Sequence, residues 1–421
     1  MSTAVSQTLK GKAEWLDDTL IIRLFAAFNK EGSEARIVGG AVRNALMGVT
    51  AGDIDFATTT LPGDTIKRIE AAGFKAVPTG YAHGTITAVA SGRAFEITTL
   101  RRDVATNGRH AEVAFGTDWE VDAKRRDFTI NAISCDAKGT LYDYCSGVAD
   151  IESRTIRFIG NAEQRISEDY LRSLRFYRFF AYYGSGRPDA NGIRATAKLK
   201  AGLAQLSAER VWSELKKLLA APDPSRALLW MRQAGVLGAI LPESQAWGID
   251  ALQPLITTGA ARNWPPDALL RLMAITPPDG PRVEAMAARL KLSKLERERV
   301  LSHAAANNVP PETSEMALAK RLYLEGQSGI IDRLKLALSA ARAKAAMSGA
   351  SSSDFMVEAA RLSKLLSYSE AWQRPVFPVS GKDLKALGFS EGAALGDALT
   401  AIEARWVASG FVLRKEELLA G

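Results

Sequence analysis

Ile37-Val38-Gly39-Gly40-Ala41-Val42-Arg43, with Gly52-Asp53-Ile54-Asp55-Phe56-Ala57-Thr58-Thr59 close behind, sets the terms for reading the whole chain. The short apolar run ending at Val38, the Gly39-Gly40 break, a helical Ala41–Gly48 and a β-rich Asp53–Thr59 spell strand, turn, helix and strand. Side chains alternate along a strand, so Asp53 and Asp55 share one face while Ile54 turns into the core. Two parallel carboxylates make a cation site. Magnesium takes oxygen ligands and keeps water and substrate phosphate in its shell, so two Asp and a triphosphate can hold a pair of ions about 3.5–4 Å apart. Backbone N–H groups at Gly39-Gly40 suit phosphate oxygens, and Arg43 adds positive charge one helical turn later. A lone D-x-D recurs on exposed strand ends and a lone Gly-Gly marks any tight turn. Both within one unit, with Arg43 between them, are more specific.

Further strands are expected at Thr85–Ala90, Ala94–Leu100 and Glu112–Phe115, with helices at Pro62–Ala72 and Asp118–Arg126. Glu96, flanked by apolar Phe95 and Ile97, offers a third carboxylate if its strand lies beside the first. Leu16, Leu20, Leu24 and Phe28 form one stripe, so residues 13–29 read as an opening amphipathic helix. After Asn161 the strand-like alternation gives way to long helical patterns, beginning with a single run over residues 163–183. The expected class is therefore α+β: a mixed-sheet head over 1–150, a helical neck over 151–220, a helical body over 221–345 and a helical tail over 346–421.

With 421 residues, 47% hydrophobic and 24% charged, the chain is large enough for more than one core. No run approaches the roughly 18 apolar residues of a membrane span, and the first twenty lack the apolar block of a signal peptide, so a cytoplasmic, membrane-free protein is expected. Cys135 and Cys145 lack CxxC spacing and read as buried thiols. His83, His110 and His303 lie far apart, which argues against zinc or His-based hydrolysis. Any metal must be held by carboxylates. Between Arg154 and Ala220 thirteen Lys/Arg face six Asp/Glu, a basic midsection suited to a polyanion or simply a solvated helical face.

Ile37–Arg43, Gly52–Asp55, Arg125-Arg126-Asp127-Phe128-Thr129-Ile130-Asn131-Ala132, Glu168-Asp169-Tyr170-Leu171-Arg172-Ser173-Leu174-Arg175 and Ala208-Glu209-Arg210 closely resemble, in order and approximate spacing, the class II CCA-adding enzyme and bacterial poly(A) polymerase family. Pro378–Leu399 resembles the family's tail, so the likeness spans nearly the whole chain. The resemblance implies a polymerase-β-type nucleotidyltransferase head and addition of C, C and A to the 3′ end of tRNA from CTP and ATP. It implies two Mg2+ ions on Asp53 and Asp55, with Glu96 completing the acidic set. Gly39, Gly40 and Arg43 would meet the triphosphate, Arg126 the nucleotide and Asp127 the ribose hydroxyl. Asp169 and Arg172, one turn apart on one helix, would read the base edge, with Glu168 orienting Arg172. Arg175 and Arg178 would reach phosphate or RNA. The neck and tail would grip the tRNA acceptor arm through phosphates and shape. Residues 102–115 would be a flexible loop that helps switch from CTP to ATP, or merely a hairpin connection.

A carboxylate accepts from the exocyclic amine of cytosine or adenine, and a guanidinium donates to N3 of cytosine or N1 of adenine. Guanine O6 and uracil O4 would face the carboxylate as acceptors and be rejected. Asn44 departs from the acid often found after the family's Arg, which puts any ion pair made there in question. Phe176-Tyr177-Arg178-Phe179-Phe180 reads as helix core. Rival readings are a poly(A) polymerase, a CC-only or A-only enzyme, and a non-catalytic RNA-binding protein. Tyr81–Gly92 lacks the basic segment associated with the poly(A) branch, and the intact Asp53/Asp55 pair opposes the non-catalytic reading.

Overall fold

Short β-branched and aromatic runs alternate with amphipathic ones as far as residue 142, and the structure turns them into one sheet with helices on its face. A computed structural model describes residues 4–50, 52–107, 110–245, 247–347 and 352–420. Through residue 142 the strands and helices are β1 (Ala4–Thr8), α1 (Thr19–Phe28), β2 (Ala35–Val38), α2 (Gly40–Leu46), β3 (Asp55–Thr58), α3 (Pro62–Ala71), β4 (Lys75–Gly80), β5 (Thr85–Ala90), β6 (Arg93–Thr99), β7 (Arg101–Asn107), β8 (His110–Phe115), α4 (Trp119–Lys124), β9 (Ser134–Cys135) and β10 (Thr140–Tyr142). Among the described residues the main sheet runs β1-β10-β9-β2-β3-β6-β5-β4, and β7 and β8 form a separate antiparallel ribbon. Among the described residues only the β3–β6 pairing is parallel; it sets Asp55 opposite Glu96 and Phe56 opposite Ile97.

That register divides the sheet's two faces. Ile37, Phe56, Ile86, Phe95 and Ile97 are buried on one, where the Phe25 ring of α1 meets Phe56 edge-on at 5.2 Å and Phe74 meets Phe95 at 6.4 Å. The other carries Arg36, Val38, Asp55 and Glu96. There Val38, Ala57 and Leu100 pack against Trp119, and the Arg36 guanidinium lies over Trp119 at 4.1 Å and Tyr142 at 3.5 Å.

Several expected elements are redrawn. The opening helix starts at Thr19, because the Asp18 carboxylate accepts from the Leu20 and Ile21 N–H groups and caps it; Glu14–Asp17 is a single 3-10 turn. Residues 101–107 and 110–115 pair as an antiparallel ribbon, in line with the hairpin alternative, and its second strand begins at His110 rather than Glu112; the Gly108-Arg109 part of the expected flexible loop lies outside the described residues. Cys135 is buried, whereas Cys145 is only half-buried. Burial pushes both thiols up, to about 12 and about 11, so both stay protonated.

Past the sheet come α5 (Gly147–Glu152), α6 (Ala162–Glu168), α7 (Leu171–Tyr183), α8 (Ala190–Lys198) and α9 (Ala208–Leu219). The run expected as one helix over 163–183 is broken at Asp169, whose backbone is extended (φ −154°, ψ 107°). Aromatic packing seats α7: Phe176 stacks on Phe158 at 5.4 Å, and Phe128 meets Phe158 at 4.9 Å and Phe179 at 5.0 Å. Such pairs contribute about 0.5–1.5 kcal/mol each beyond the area they bury. Phe128 belongs to the Arg125–Ala132 motif, so this cluster fixes the motif against the helix.

The chain forms two compact units, residues 1–215 with 226–240, and residues 216–225 with 241–421. Described elements of the second unit are helical, as expected. Its core includes Leu318, Leu322, Ile330, Leu334, Leu338, Leu362 and Leu366, and a further cluster joins Tyr323, Val379, Trp406, Val407 and Leu418. Among the described residues no helix is long and apolar enough to cross a membrane.

Gly147 is held where a Cβ would stand 2.2 Å from the Thr129 carbonyl oxygen. Gly147→Ala must push α5 off the Arg125–Ala132 segment, an overpacking cost of about 3 kcal/mol. The denaturant midpoint of the first unit should fall, read by tryptophan fluorescence or circular dichroism.

Candidate active site

Asp55 opens β3, half-buried, with Val38 opposite it on one side and Glu96 on the other. Asp53 is exposed in the bend just before the strand, and Ile54 between them is buried. The alternation expected from Asp-Ile-Asp thus survives, although only Asp55 lies in the strand. Glu96 lies on the neighbouring strand, as its flanking residues suggested. Burial, then the charges of Glu96 and Asp53, push the Asp55 carboxyl up to about 6, and Arg126 opposes them only in part. This surplus of negative charge on hard oxygen donors fits divalent cations. Among the described residues no group of three or more His, Cys, Asp or Glu is arranged to hold an ion by itself. The remainder of a coordination shell would therefore come from substrate phosphate and water.

The basic side of the site surrounds the Gly39-Gly40 turn. Gly39 has φ 69°, a conformation that favours glycine. A Cβ there would lie 3.5 Å from the Arg126 guanidinium, and one on Gly40 would lie 3.6 Å from that of Arg43. The two cations thus flank the turn that follows Val38, the register partner of Asp55. Arg126 is steadied by Asp122 at 3.1 Å. Arg43 is only 6% exposed: it donates to Asn131 Oδ1 at 2.5 Å, to Asn44 Oδ1 at 2.9 and 3.2 Å and to the Tyr183 hydroxyl at 2.8 Å. These four bonds use four of the guanidinium's five N–H groups and leave one on Nη1 for the expected contact with a triphosphate. Asn44 keeps the contact an acid would make, as a neutral hydrogen bond.

Asp127 is 9% exposed. One oxygen accepts from Phe128 N–H at 2.9 Å and Asn131 Nδ2 at 3.0 Å, the other from Arg175 at 2.8 and 2.5 Å. Despite its burial, Arg175 and Asn131 hold its carboxyl below the usual range. Four donors fill the four lone-pair sites of a carboxylate, so a ribose hydroxyl can enter only if one of them yields. Arg175, expected at phosphate or RNA, is here the partner of Asp127.

The residues expected to read the base do not share one helical face. Asp169 and Arg172 do not pair on one helix, because Asp169 lies in the break between α6 and α7. Its carboxylate accepts from Leu171 N–H at 3.1 Å and from Arg210 of α9 at 2.8 Å. Arg172 donates to Glu168 at 2.5 Å and to the Arg165 carbonyl at 2.9 Å. Arg178, expected at phosphate or RNA, is bound to Glu214 at 2.6 Å, both largely sheltered, which ties α7 to α9. Beside Arg210 a cleft of about 480 Å³ is lined by Leu171, Ser207, Glu209, Arg210, Ser213 and Glu214. Sequence reasoning assigned no role to Asp122, Asn131, Tyr183, Arg210 or Glu214. Asn131 and Arg210 lay inside quoted motifs, the one signal that marked them.

A family profile described as the poly A polymerase head domain matches residues 35–157, and one described as a probable RNA and SrmB-binding site of polymerase A matches residues 191–247. The chain is 36% identical over 405 residues to mitochondrial CCA tRNA nucleotidyltransferase 1 of Mus musculus, covering 93% of this chain and 87% of that protein. It is 39% identical over 240 residues to the CCA-adding enzyme of Geobacillus stearothermophilus, 56% of each. Among solved structures, the CCA-adding enzyme of Bacillus stearothermophilus in complex with CTP matches with a TM-score of 0.69 at 27% identity, covering 94% of both chains.

A carboxyl whose folded pKa is raised contributes stability at low pH and loses it as pH rises through the folded value, here about 6. Asp55→Asn should therefore raise the melting temperature in chelator-treated buffer, more at pH 8 than at pH 5. Divalent cation should narrow the gap by stabilising the wild type alone. Equal gains at both pH values would show that Asp55 ionises normally.

Proposed function

The chain belongs to the CCA-adding tRNA nucleotidyltransferase family, and from that membership we propose that it adds C, C and A to the 3′ end of tRNA from CTP and ATP without a nucleic-acid template. The observation that carries this reading is the meeting of Asp53, Asp55 and Glu96 beside a Gly39-Gly40 turn flanked by two guanidiniums. The partners are CTP, ATP and the acceptor arm of tRNA, met in any compartment that holds all three, the cytoplasm first among them. We keep the functional partition into head (1–150), neck (151–220), body (221–345) and tail (346–421), with the basic neck and the tail holding RNA.

Asp53 and Asp55 would hold two Mg2+ ions, which when bound lower the pKa of the RNA 3′-hydroxyl and neutralise the pyrophosphate leaving group. The chain's own groups orient the nucleotide. The Gly39-Gly40 turn admits phosphate oxygens close to the backbone, and Arg126 lies against it to meet them. Asp127 takes the ribose hydroxyl when Arg175 turns from it toward phosphate, a side-chain exchange common on binding. Asp169 accepts from the exocyclic amine of cytosine or adenine and Arg172 donates to the adjoining ring nitrogen. Guanine and uracil would set an acceptor against Asp169, and unmet polar groups make that costly. Glu168 and Arg210 hold Arg172 and Asp169, respectively, in place for this reading.

Transcripts of tRNA ending before CCA, after C and after CC, given all four nucleotides and magnesium, should each be completed to CCA and no further, and Asp53→Ala should abolish incorporation. Long A tails would move the protein to poly(A) polymerase; RNA binding without incorporation would leave a binding protein. Asp169→Ala should lower kcat/KM for CTP by about 10²-fold while that for UTP falls much less. Equal losses for both nucleotides would remove Asp169 from base selection.

A further inference from the structure

Buried charges in proteins are normally met by an opposite charge, because an unpaired ion in a low-dielectric interior is costly. Arg36 shows the usual solution in the same unit: 6% exposed, it holds the Glu34 carboxylate at 2.6 Å. Arg43 is equally sheltered and receives a different shell. Its hydrogen-bond acceptors are the amide oxygens of Asn44 and Asn131 and the Tyr183 hydroxyl, and its faces lie against the Tyr183 and Phe179 rings at 4.0 and 5.3 Å. Every one of these partners is formally neutral. Asp127 acts on Arg43 only at longer range and is itself bound to Arg175. Burial accordingly holds the Arg43 guanidinium below the usual arginine range.

We infer that Asn44 is an affinity-setting residue: by giving Arg43 an amide oxygen where a carboxylate would fit, it leaves a buried cation uncompensated until a polyphosphate arrives at the Gly39-Gly40 turn. The inference rests on the proposed reading that this turn receives the nucleotide triphosphate. A charge under a low-dielectric cover projects its field further than one in water, so Arg43 attracts the triphosphate from its sheltered position. The amide is oriented for this arrangement. Asn44 Nδ2 donates to the Thr50 carbonyl at 3.1 Å, which turns Oδ1 toward Arg43. An acid at position 44 would neutralise Arg43 and present an acceptor to Thr50.

The test is equilibrium binding of CTP, CDP, CMP and cytidine, without RNA, to the full chain and three variants. Asn44→Asp should weaken CTP about tenfold, CDP less and cytidine hardly at all, because the penalty follows ligand charge. Asn44→Ser removes the same acceptor without adding charge, and its effect should be small and equal across the series. Arg43→Gln removes the cation while keeping donors; it should reproduce the charge-graded loss and serves if Asn44→Asp does not fold. A flat Asn44→Asp penalty, or unchanged CTP binding in that variant, would overturn the inference and leave the proposed function standing. A wild-type chain that binds none of the four would sink both.

Discussion

Asp55 and Glu96 stand opposite each other on parallel strands with Asp53 close by, and this enforced crowding of like charge is the constraint around which the head is organised. Strand register admits no escape. Sliding β6 by one residue would turn Glu96 into the core and Phe95 and Ile97 out of it, at a cost far above the repulsion relieved. The hydrophobic face held by Phe25, Phe56 and Phe95 therefore supplies the energy that keeps the acidic face in place. Binding in such a site is favourable for a cation because folding has already met the cost of assembling its ligands.

Positive charge is distributed with equal discipline. Arg126 is steadied by Asp122, Arg175 by Asp127 and Arg172 by Glu168, each near the nucleotide side of the head or neck. Asn131 connects Arg43 to one of these pairs: its amide oxygen serves Arg43 and its amide nitrogen serves Asp127. No other neutral side chain of that size offers an acceptor and a donor from one planar group except glutamine, whose extra methylene would not fit the same spacing. The aromatic cluster of Phe128, Phe158, Phe176 and Phe179 keeps α7 against this segment.

Period and punctuation made much of this legible. Ile54 between two acids and Glu96 between two apolar residues declared which faces were buried, although the first of these strands begins only at Asp55. Phe176, Tyr177, Phe179 and Phe180 were readable as core from helical spacing. What failed was whatever a distant partner decides. Asp169 lies within a good helical pattern, yet Leu171 N–H and Arg210 hold it in an extended conformation, and no local signal in residues 163–183 reports on α9. Nothing local to Arg43, Arg175 or Arg178 announces the side chains each binds in the fold. Their true neighbours, Asn131, Asp127 and Glu214, lie 88, 48 and 36 positions away.

Selection without a template places a particular demand on the groups that read the base. A nucleic-acid template is stiff through stacking, whereas a lone aspartate and a lone arginine each sample several rotamers, and mobile donors and acceptors would accommodate uracil as readily as cytosine. On the reading proposed for Asp169 and Arg172, separate clamps would meet this demand. Glu168 and the Arg165 carbonyl grip Arg172 from α6, and Arg210 grips Asp169 from α9. Because the two clamps arise from different helices, the spacing between reader groups depends on how α6 and α9 are held by α7, through Arg178–Glu214 and the buried aromatics. On that reading discrimination would be a property of three packed helices rather than of two side chains, and residues that never approach the nucleotide would share in setting it.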